Sequence, residues 1–230
     1  RAAVDGIARM AGSRVDFRGT IRDITTEPAV RGKPLTLAID GSGEEGTTLD
    51  LDGTLDHRGE PSRDQLEFNV RRLTLRDARF SGSSKLPIVL EQGQANIDGK
   101  LTVTGGELKG AVNTRVQQAA FSAGGEDSND TVQRIARAIE GVSDFRLDLA
   151  LSGSLGSPGI SVNSNLDNII GQALGDEVRA ELAEARKELE QKLRAELKPG
   201  LEELAGRQQT LAQYREQIDQ RREALRSIRP

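Results

Sequence analysis

Residues 145–164 carry the clearest pattern in this chain, and they read FRLDLALSGSLGSPGISVNS. Apolar residues and glycine alternate with polar residues from Phe145 to Leu155, and the alternation resumes at Ile160 and Val162 after a turn predicted at 157–159. Because successive side chains of a β-strand point to opposite faces, a period of two predicts one apolar and one polar face. The stretch therefore predicts two strands joined by a tight turn.

The same alternation recurs upstream, which makes the chain predominantly β. The pattern changes phase within 66–75, so a bulge or break is predicted at Arg71–Arg72. Because an antiparallel sheet with one covered face alternates in this way, we predict a mainly β fold with α. Its centre is a curved antiparallel sheet of about nine strands in a meander. The other strands are predicted at 15–21, 35–39, 49–55, 66–75, 88–90, 95–103 and 108–116.

Two helical segments complete the predicted fold. A short helix at about 129–140 interrupts the curved β domain, which is predicted to span 1–165. From 166 to 230, apolar residues recur at helical spacing among many charged ones. This charged tail is predicted to form a long helix, or a helical hairpin or coiled coil. A break is predicted at 199–200, because Pro199 disfavours helix in the residue before it.

A short repeat places a glycine on the apolar face of five predicted strands. The copies read DFRGTI, DLDGTL, NIDGKL, ELKGAV and ALSGSL. Glycine weakens a strand, so its repetition indicates a geometric need, which is sharp curvature, close approach of the backbone, or space for a bound molecule. The five glycines are Gly19, Gly53, Gly99, Gly110 and Gly153.

The composition excludes several classes of function. The chain of 230 residues has no Cys and one His, so thiolate and multi-histidine metal sites are excluded within one chain. A net charge of −4 and an aromatic content of 3% argue against a nucleic-acid partner, which requires a basic surface and stacking rings. We expect no metal and no cofactor.

One motif suggests an enzyme. The string DLDGTL at 50–55 resembles the nucleophile loop of haloacid-dehalogenase-type phosphatases, where the first aspartate attacks phosphorus. That chemistry needs a buried strand before the motif and an acidic cluster for Mg²⁺, whereas residues 43–48 read GEEGTT. Because the string is also a copy of the glycine repeat, we expect Asp50 and Asp52 on a polar strand face. His57 is expected in an exposed turn, and the protein is expected not to be an enzyme.

Residues 147–174 resemble a known family. A closing strand L-x-G-x-L-x-x-P, a short strand, S-x-L and a helix are similar to the C-terminal end of AsmA-like proteins of Gram-negative bacteria. The resemblance implies a periplasmic envelope protein whose sheet forms an apolar trough linked to lipid traffic and outer-membrane upkeep. It also implies anchoring in the inner membrane by an N-terminal segment absent from this chain. The matching positions are Leu151, Gly153, Leu155, Pro158, Ile160, Val162, Ser164 and Leu166.

The pattern and the resemblance together predict a non-enzymatic lipid-handling module. Its apolar groove would bind or conduct the acyl chains of a phospholipid, and the five glycines would leave room on that face. The alternative is a structural or interaction protein whose 176–230 helices bind an envelope protein or form a homo-oligomer. The candidate groove residues are Phe17, Leu37, Leu51, Phe68, Leu101, Val112, Leu149 and Leu151.

Overall fold

A computed structural model contains an open antiparallel sheet of nine strands. The strands lie side by side in chain order, so each one pairs with its neighbours in sequence. The structure describes residues 1–79, 88–123, 130–166, 168–169, 183–184, 186–203 and 205–206. The strands are β1 (Ala2–Met10), β2 (Ser13–Arg22), β3 (Leu35–Gly43), β4 (Thr48–Asp56), β5 (Arg63–Arg79), β6 (Ile88–Thr104), β7 (Glu107–Ala123), β8 (Phe145–Ser154) and β9 (Ser157–Ser164).

Short helical segments lie in three of the strand connections. Helix α1 (Pro28–Arg31) follows β2, and a 3₁₀ turn (Glu44–Gly46) follows β3. Helix α2 (Asp130–Ile139) connects β7 to β8 and lies within the range predicted for a helix. The predicted mainly β, antiparallel fold is therefore confirmed.

Two strand predictions differ from the structure. Strand β1 was not predicted, because its apolar face consists largely of small residues that give a weak alternation signal. The segments predicted at 88–90 and 95–103 belong to one strand, β6. The predicted bulge at Arg71–Arg72 is confirmed, since the β5–β6 register shifts between Val70 and Leu73 and Arg72 has a φ of +52°.

The loop between β8 and β9 also differs from the prediction. It is formed by Leu155 and Gly156, and residues 157–159 already belong to β9. Pro158 lies in β9, which is the last strand of the sheet. Proline is tolerated in an edge strand at positions whose backbone N–H would point away from the sheet, because no hydrogen bond of the sheet is lost there.

Buried apolar side chains form two clusters towards the C-terminal end of the sheet. The first is centred on Leu90 and Phe145 and includes Ile139 of α2. Its aromatic contact joins Phe121 and Phe145, whose ring centroids are 5.5 Å apart. The second cluster consists of Leu108, Leu151, Leu155, Ile160 and Val162.

The described part of the predicted tail is helical and packs on the second cluster. Residues 186–203 form helix, and Leu189, Leu193 and Leu201 contact the cluster. The predicted break at 199–200 is not present in this stretch, because leucines on both sides of Pro199 are held by the same apolar surface. Residues 170–182 and 207–230 lie outside the described residues, so a longer helix or coiled coil stays a prediction.

Candidate functional site

The strand register places all eight candidate groove residues on one face of the sheet. Residues opposite each other in neighbouring strands share a face, as do residues two apart in one strand. One row contains, from β1 to β9, Val4, Gly19, Ile39, Leu51, Phe68, Gly99, Val112, Leu149 and Val162. The adjacent row contains Ala2, Ile21, Leu37, Gly53, Leu66, Leu101, Gly110, Leu151 and Ile160. Phe17 lies one row away on the other side of the first row.

The apolar face is covered unequally along the sheet. We call its part on β1–β4 the open face and its part on β5–β9 the covered face. On the open face, Val15 is the one hydrophobic residue found buried among those the structure describes. Phe17, Leu37 and Leu51 are half-buried, and neither cluster includes a residue of β2 or β3.

Four of the five candidates in the C-terminal half belong to a cluster or pack against one. Phe68 packs against the first cluster, while Leu101 and Leu149 pack against the second, to which Leu151 belongs. Val112 is half-buried between them in the same row. All eight candidates except the buried Leu151 are half-buried, so the two parts of the face differ in their contacts with the clusters and not in the burial class of the candidates.

Two of the repeat glycines are covered by the large side chain of a cross-strand neighbour. A Cβ atom built on Gly99 would lie 2.1 Å from Cζ of Phe68, which is directly opposite it. On Gly110 it would lie 2.4 Å from Cδ2 of Leu101, again the opposite residue. Pairing a large side chain with a glycine in this way is a known device for packing sheets. Here the glycines make room for residues of the sheet itself.

Gly53 is a third glycine covered by its cross-strand neighbour, and the last two repeat glycines serve other needs. Leu37 covers Gly53, since a Cβ atom there would lie 2.7 Å from its Cγ. At Gly19 the backbone itself is close, because a Cβ atom would lie 2.5 Å from the carbonyl oxygen of Ala38. Gly153 has a φ of +93°, which favours glycine, and its nearest neighbouring atom would be 3.6 Å away. Close packing and local backbone conformation thus account for these positions.

The polar face carries the charged residues of the sheet. Asp50 and Asp52 are exposed on it, and Lys100 forms an ion pair with Glu67 across β5 and β6. An open depression of about 430 Å³ on this face is lined by polar residues such as Thr20, Thr36 and Thr54 and by the charged Arg22, Asp52 and Glu67. The DLDGTL carboxylates therefore lie on a solvated surface.

The connection from β4 to β5 contains the single histidine in a half-buried position. His57 Nε2 lies 2.7 Å from Oδ1 of Asp64, and the two side chains are 19% and 17% exposed. The prediction that His57 is exposed is therefore wrong. Hydrogen bonds from Arg58 hold the pKa of Asp56 at about 2. Arg58 also donates to the carbonyl oxygen of Gly32, 3.0 Å away, and so joins two loops at one end of the open face.

Sequence reasoning missed how the covered face is completed. The leucine stripe predicted a helical tail over 166–230 with a break at 199–200, but not the contact of residues 186–203 with the sheet. It also missed the carboxylate of Glu190, whose Oε1 accepts the backbone N–H of Val162 at 3.0 Å. The spacing of apolar residues shows which side of a helix is apolar, but it does not identify the surface on which that side packs.

No protein-family model, curated protein or solved structure matches this chain. Among the described residues, no group of acidic or histidine side chains is arranged to hold a metal ion. Within that same part of the chain, no helix has the length and apolar character needed to cross a bilayer. The similarity to AsmA-like proteins rests on the motif in residues 147–174.

Proposed function

We propose that the open face binds acyl chains and that the protein is a non-enzymatic lipid-handling module. The observation that carries this proposal is the unequal cover of one continuous apolar face. Strands β5–β9 supply most of both clusters, whereas among the described residues of β1–β4 only Met10 and Leu49 pack against either of them. Contiguous accessible apolar surface on a sheet is costly in water and marks an interaction site.

The dimensions of the open face suit a hydrocarbon chain. Four strands at a spacing of about 4.8 Å give a surface roughly 19 Å wide. One acyl chain spans half of a hydrocarbon core that is about 30 Å thick, or roughly 15 Å. Each methylene removed from water contributes about 0.8 kcal/mol. About sixteen methylenes, as in a stearoyl chain, would contribute about 6 kcal/mol if half removed from water, which suffices for measurable binding without a polar site for the headgroup.

The half-buried residues of the open face would provide the contacts. Leu37 and Leu51 lie in adjacent rows of neighbouring strands, and the half-buried Ile39, which is opposite Leu51, lies between them and the row of Phe17. Because hydrophobic attraction is non-directional, this surface would select for acyl chains more than for any headgroup. Leu37 lies over Gly53, its cross-strand neighbour in this surface, so no second side chain projects at that position.

A fluorescent fatty acid tests the proposal on the complete 230-residue chain. Titration with NBD-stearate should give saturable binding, which Leu37→Gln weakens about five- to tenfold through the loss of apolar contact. The matched control is Ala38→Gln, because Ala38 is the next residue of β3 and lies exposed on the polar face. Absence of saturable binding, or equal losses in the two variants, would contradict the proposal.

We propose a periplasmic location on the basis of the resemblance in residues 147–174. In its cell of origin, protease added to spheroplasts should digest the protein while a cytoplasmic marker survives. Survival of the protein together with the marker would contradict this location. This test is independent of the fatty-acid titration.

The second candidate is a structural protein whose tail binds an envelope protein or a second copy. The helical stripe favours it, although Leu189, Leu193 and Leu201 are already in contact with the chain's own sheet. Removal of residues 207–230 leaves these contacts in place. Under the second candidate, this truncation abolishes partner binding or oligomerisation. Under the first, fatty-acid binding survives it.

A further inference from the structure

The backbone groups of the two edge strands, β1 and β9, have different hydrogen-bond partners among the described residues. At β9, the N–H of Val162 is bonded to Glu190 of the described helix. At the opposite edge, β1 has no further strand beside it among the described residues. It is nine residues long, has no proline, and pairs with β2 without a register shift. A long regular edge strand offers a row of backbone donors and acceptors to another strand.

The β1–β2 hairpin determines which residues of β1 direct these groups outward. Its two-residue loop, Ala11–Gly12, has φ values of +47° and +83°, typical of a type I′ turn. Such a loop closes on a hydrogen-bonded pair, here Met10 and Ser13, and bonding then alternates along the strands. The outward groups therefore belong to the odd-numbered residues. The same rule applied to the two-residue loop of β8–β9 directs the Val162 N–H outward, where Glu190 accepts it.

We propose that β1 pairs with β1 of a second copy of this chain, antiparallel and centred on Ile7. In this register Ile7 faces Ile7 of the second copy, and Asp5 faces Arg9 of the second copy in both directions. On the apolar face, Val4 faces Met10 of the second copy, and Gly6 faces Ala8 of the second copy. The odd-numbered residues exchange backbone hydrogen bonds across the junction.

Charge and exposure favour this register over its neighbours. Centring on Asp5 places two aspartates opposite each other and brings Arg9 opposite Arg1, and like charges in such positions are destabilising. Centring on Gly6 places Asp5 opposite an isoleucine. The Ile7 register pairs every charge of the aligned segment with its opposite. It also covers Ile7, which is 56% exposed although it lies on the polar side of the strand.

The pairing joins the open faces of two copies into one surface. Residues that face each other across the junction share a face of the sheet, so Val4 and Met10 continue the apolar rows into the second copy. The inference rests on the β1 edge alone. It holds whether or not the open face binds acyl chains, and a fatty-acid titration does not test it.

Charge reversal on the complete chain gives a test specific to this register. Light scattering coupled to size exclusion, over a range of protein concentrations, should show the wild type in a monomer–dimer equilibrium. Asp5→Arg and Arg9→Asp should each raise the dimer dissociation constant about tenfold or more, because each creates two like-charge pairs across the junction. Arg9→Asp is the cleaner variant, since Asp5→Arg also places an arginine opposite Arg18 of its own hairpin. An equimolar mixture of the two variants should dimerise again, since every charged pair across the junction is then of opposite charge. Asp148→Arg, an exposed change on β8, is the control and should behave as wild type.

A second variant guards against loss of folding. Ile7→Lys places a lysine opposite Asp16 within the hairpin, where it is favourable, but opposite another lysine in the dimer. It should keep the wild-type melting temperature and weaken the dimer about tenfold or more. A wild type that stays monomeric at all concentrations overturns the proposal. So does a dimer unaffected by Ile7→Lys, or a mixture of the reversed variants that does not dimerise.

Discussion

The open and covered faces are made from the same alternating pattern but have different environments. On β5–β9, Phe145 is 1% exposed and Leu90 is fully buried beneath or beside helical segments. On β1–β4, most residues of the same face are half-buried, and among the described ones only Met10 and Leu49 pack against a cluster. The difference shows that alternation encodes a two-faced strand, whereas the cover over that face is encoded elsewhere in the chain.

The covered face depends on contacts that are far apart in sequence. Leu189 and Leu193 reach back to β7–β9, and Ile139 of α2 reaches the first cluster. Burial in these clusters supplies the stability of the sheet, because apolar area removed from water is the main favourable contribution to folding. The open face has fewer residues in these clusters, so we expect it to contribute less to stability.

The largest contrast is expected from one substitution made on both faces. Phe145→Ala should lower the free energy of unfolding by about 3–5 kcal/mol, because it leaves a cavity in a close-packed cluster. Phe17→Ala on the half-buried open face should cost about 1–2 kcal/mol, since half of the transfer free energy is retained and little cavity forms. Urea unfolding followed by circular dichroism measures both. Equal losses would mean that the open face has a cover of its own.

A second contrast concerns the glycine pairs. Gly99→Ala should destabilise the chain by about 1–3 kcal/mol, because the added methyl group overlaps the Phe68 ring and forces it to move. Gly59→Ala is the matched control, because nothing lies within 4 Å of a Cβ atom there. The same urea experiment distinguishes them. A neutral Gly99→Ala variant would show that Phe68 has free space to occupy and that the pair is not a packing device.

How far the fold could be predicted depended on the range of each interaction. The alternation from Phe145 to Val162 gave β8 and β9, and the phase change around Arg71 gave the bulge. Both are local signals. Strand β1 was missed because Ala and Gly on its apolar face carry little hydrophobic contrast.

The sequence predicted that the candidate residues share one face of the sheet, but not which of them other parts of the chain cover. The eight groove residues share one face because period and antiparallel pairing fix which side each residue occupies. Which of them a helix contacts depends on long-range packing that no local pattern encodes. The role of Gly99 was likewise beyond local reasoning, since Phe68 is remote in sequence and is brought opposite by register.

A smaller effect is expected at the protected edge. Glu190→Gln should weaken the bond to the Val162 N–H, because a charged acceptor is replaced by a neutral one. The loss of about 1 kcal/mol should speed hydrogen exchange of the Val162 amide several-fold. Glu196→Gln, an exposed change on the same helix, should leave that amide unchanged. Identical exchange in both variants would show that the helix does not protect β9 through this contact.

The smallest effect is a titration at the end of the open face. The pKa of Asp56 is about 2 because Arg58 donates hydrogen bonds to its carboxylate. A depressed pKa in the folded state stabilises the fold above the ordinary aspartate pKa, and this contribution is lost as the pH falls towards 2. Arg58→Ala should raise the pKa of Asp56 towards its ordinary value of about 3.9 but not fully to it, because the backbone N–H of residue 58 still donates to the carboxylate; carboxyl NMR measures the change. A value that stays near 2 would show that the arginine is not the cause.

Paramagnetic broadening by a spin-labelled fatty acid tests the central claim most directly. With doxyl-stearate added to the wild-type chain, methyl signals of Leu37 and Leu51 on the open face should broaden at low ligand concentration. Methyl signals of Leu90 and Leu155, which lie in the two clusters of the covered face, should stay sharp. Broadening confined to the covered face, or none at either face, would contradict the account.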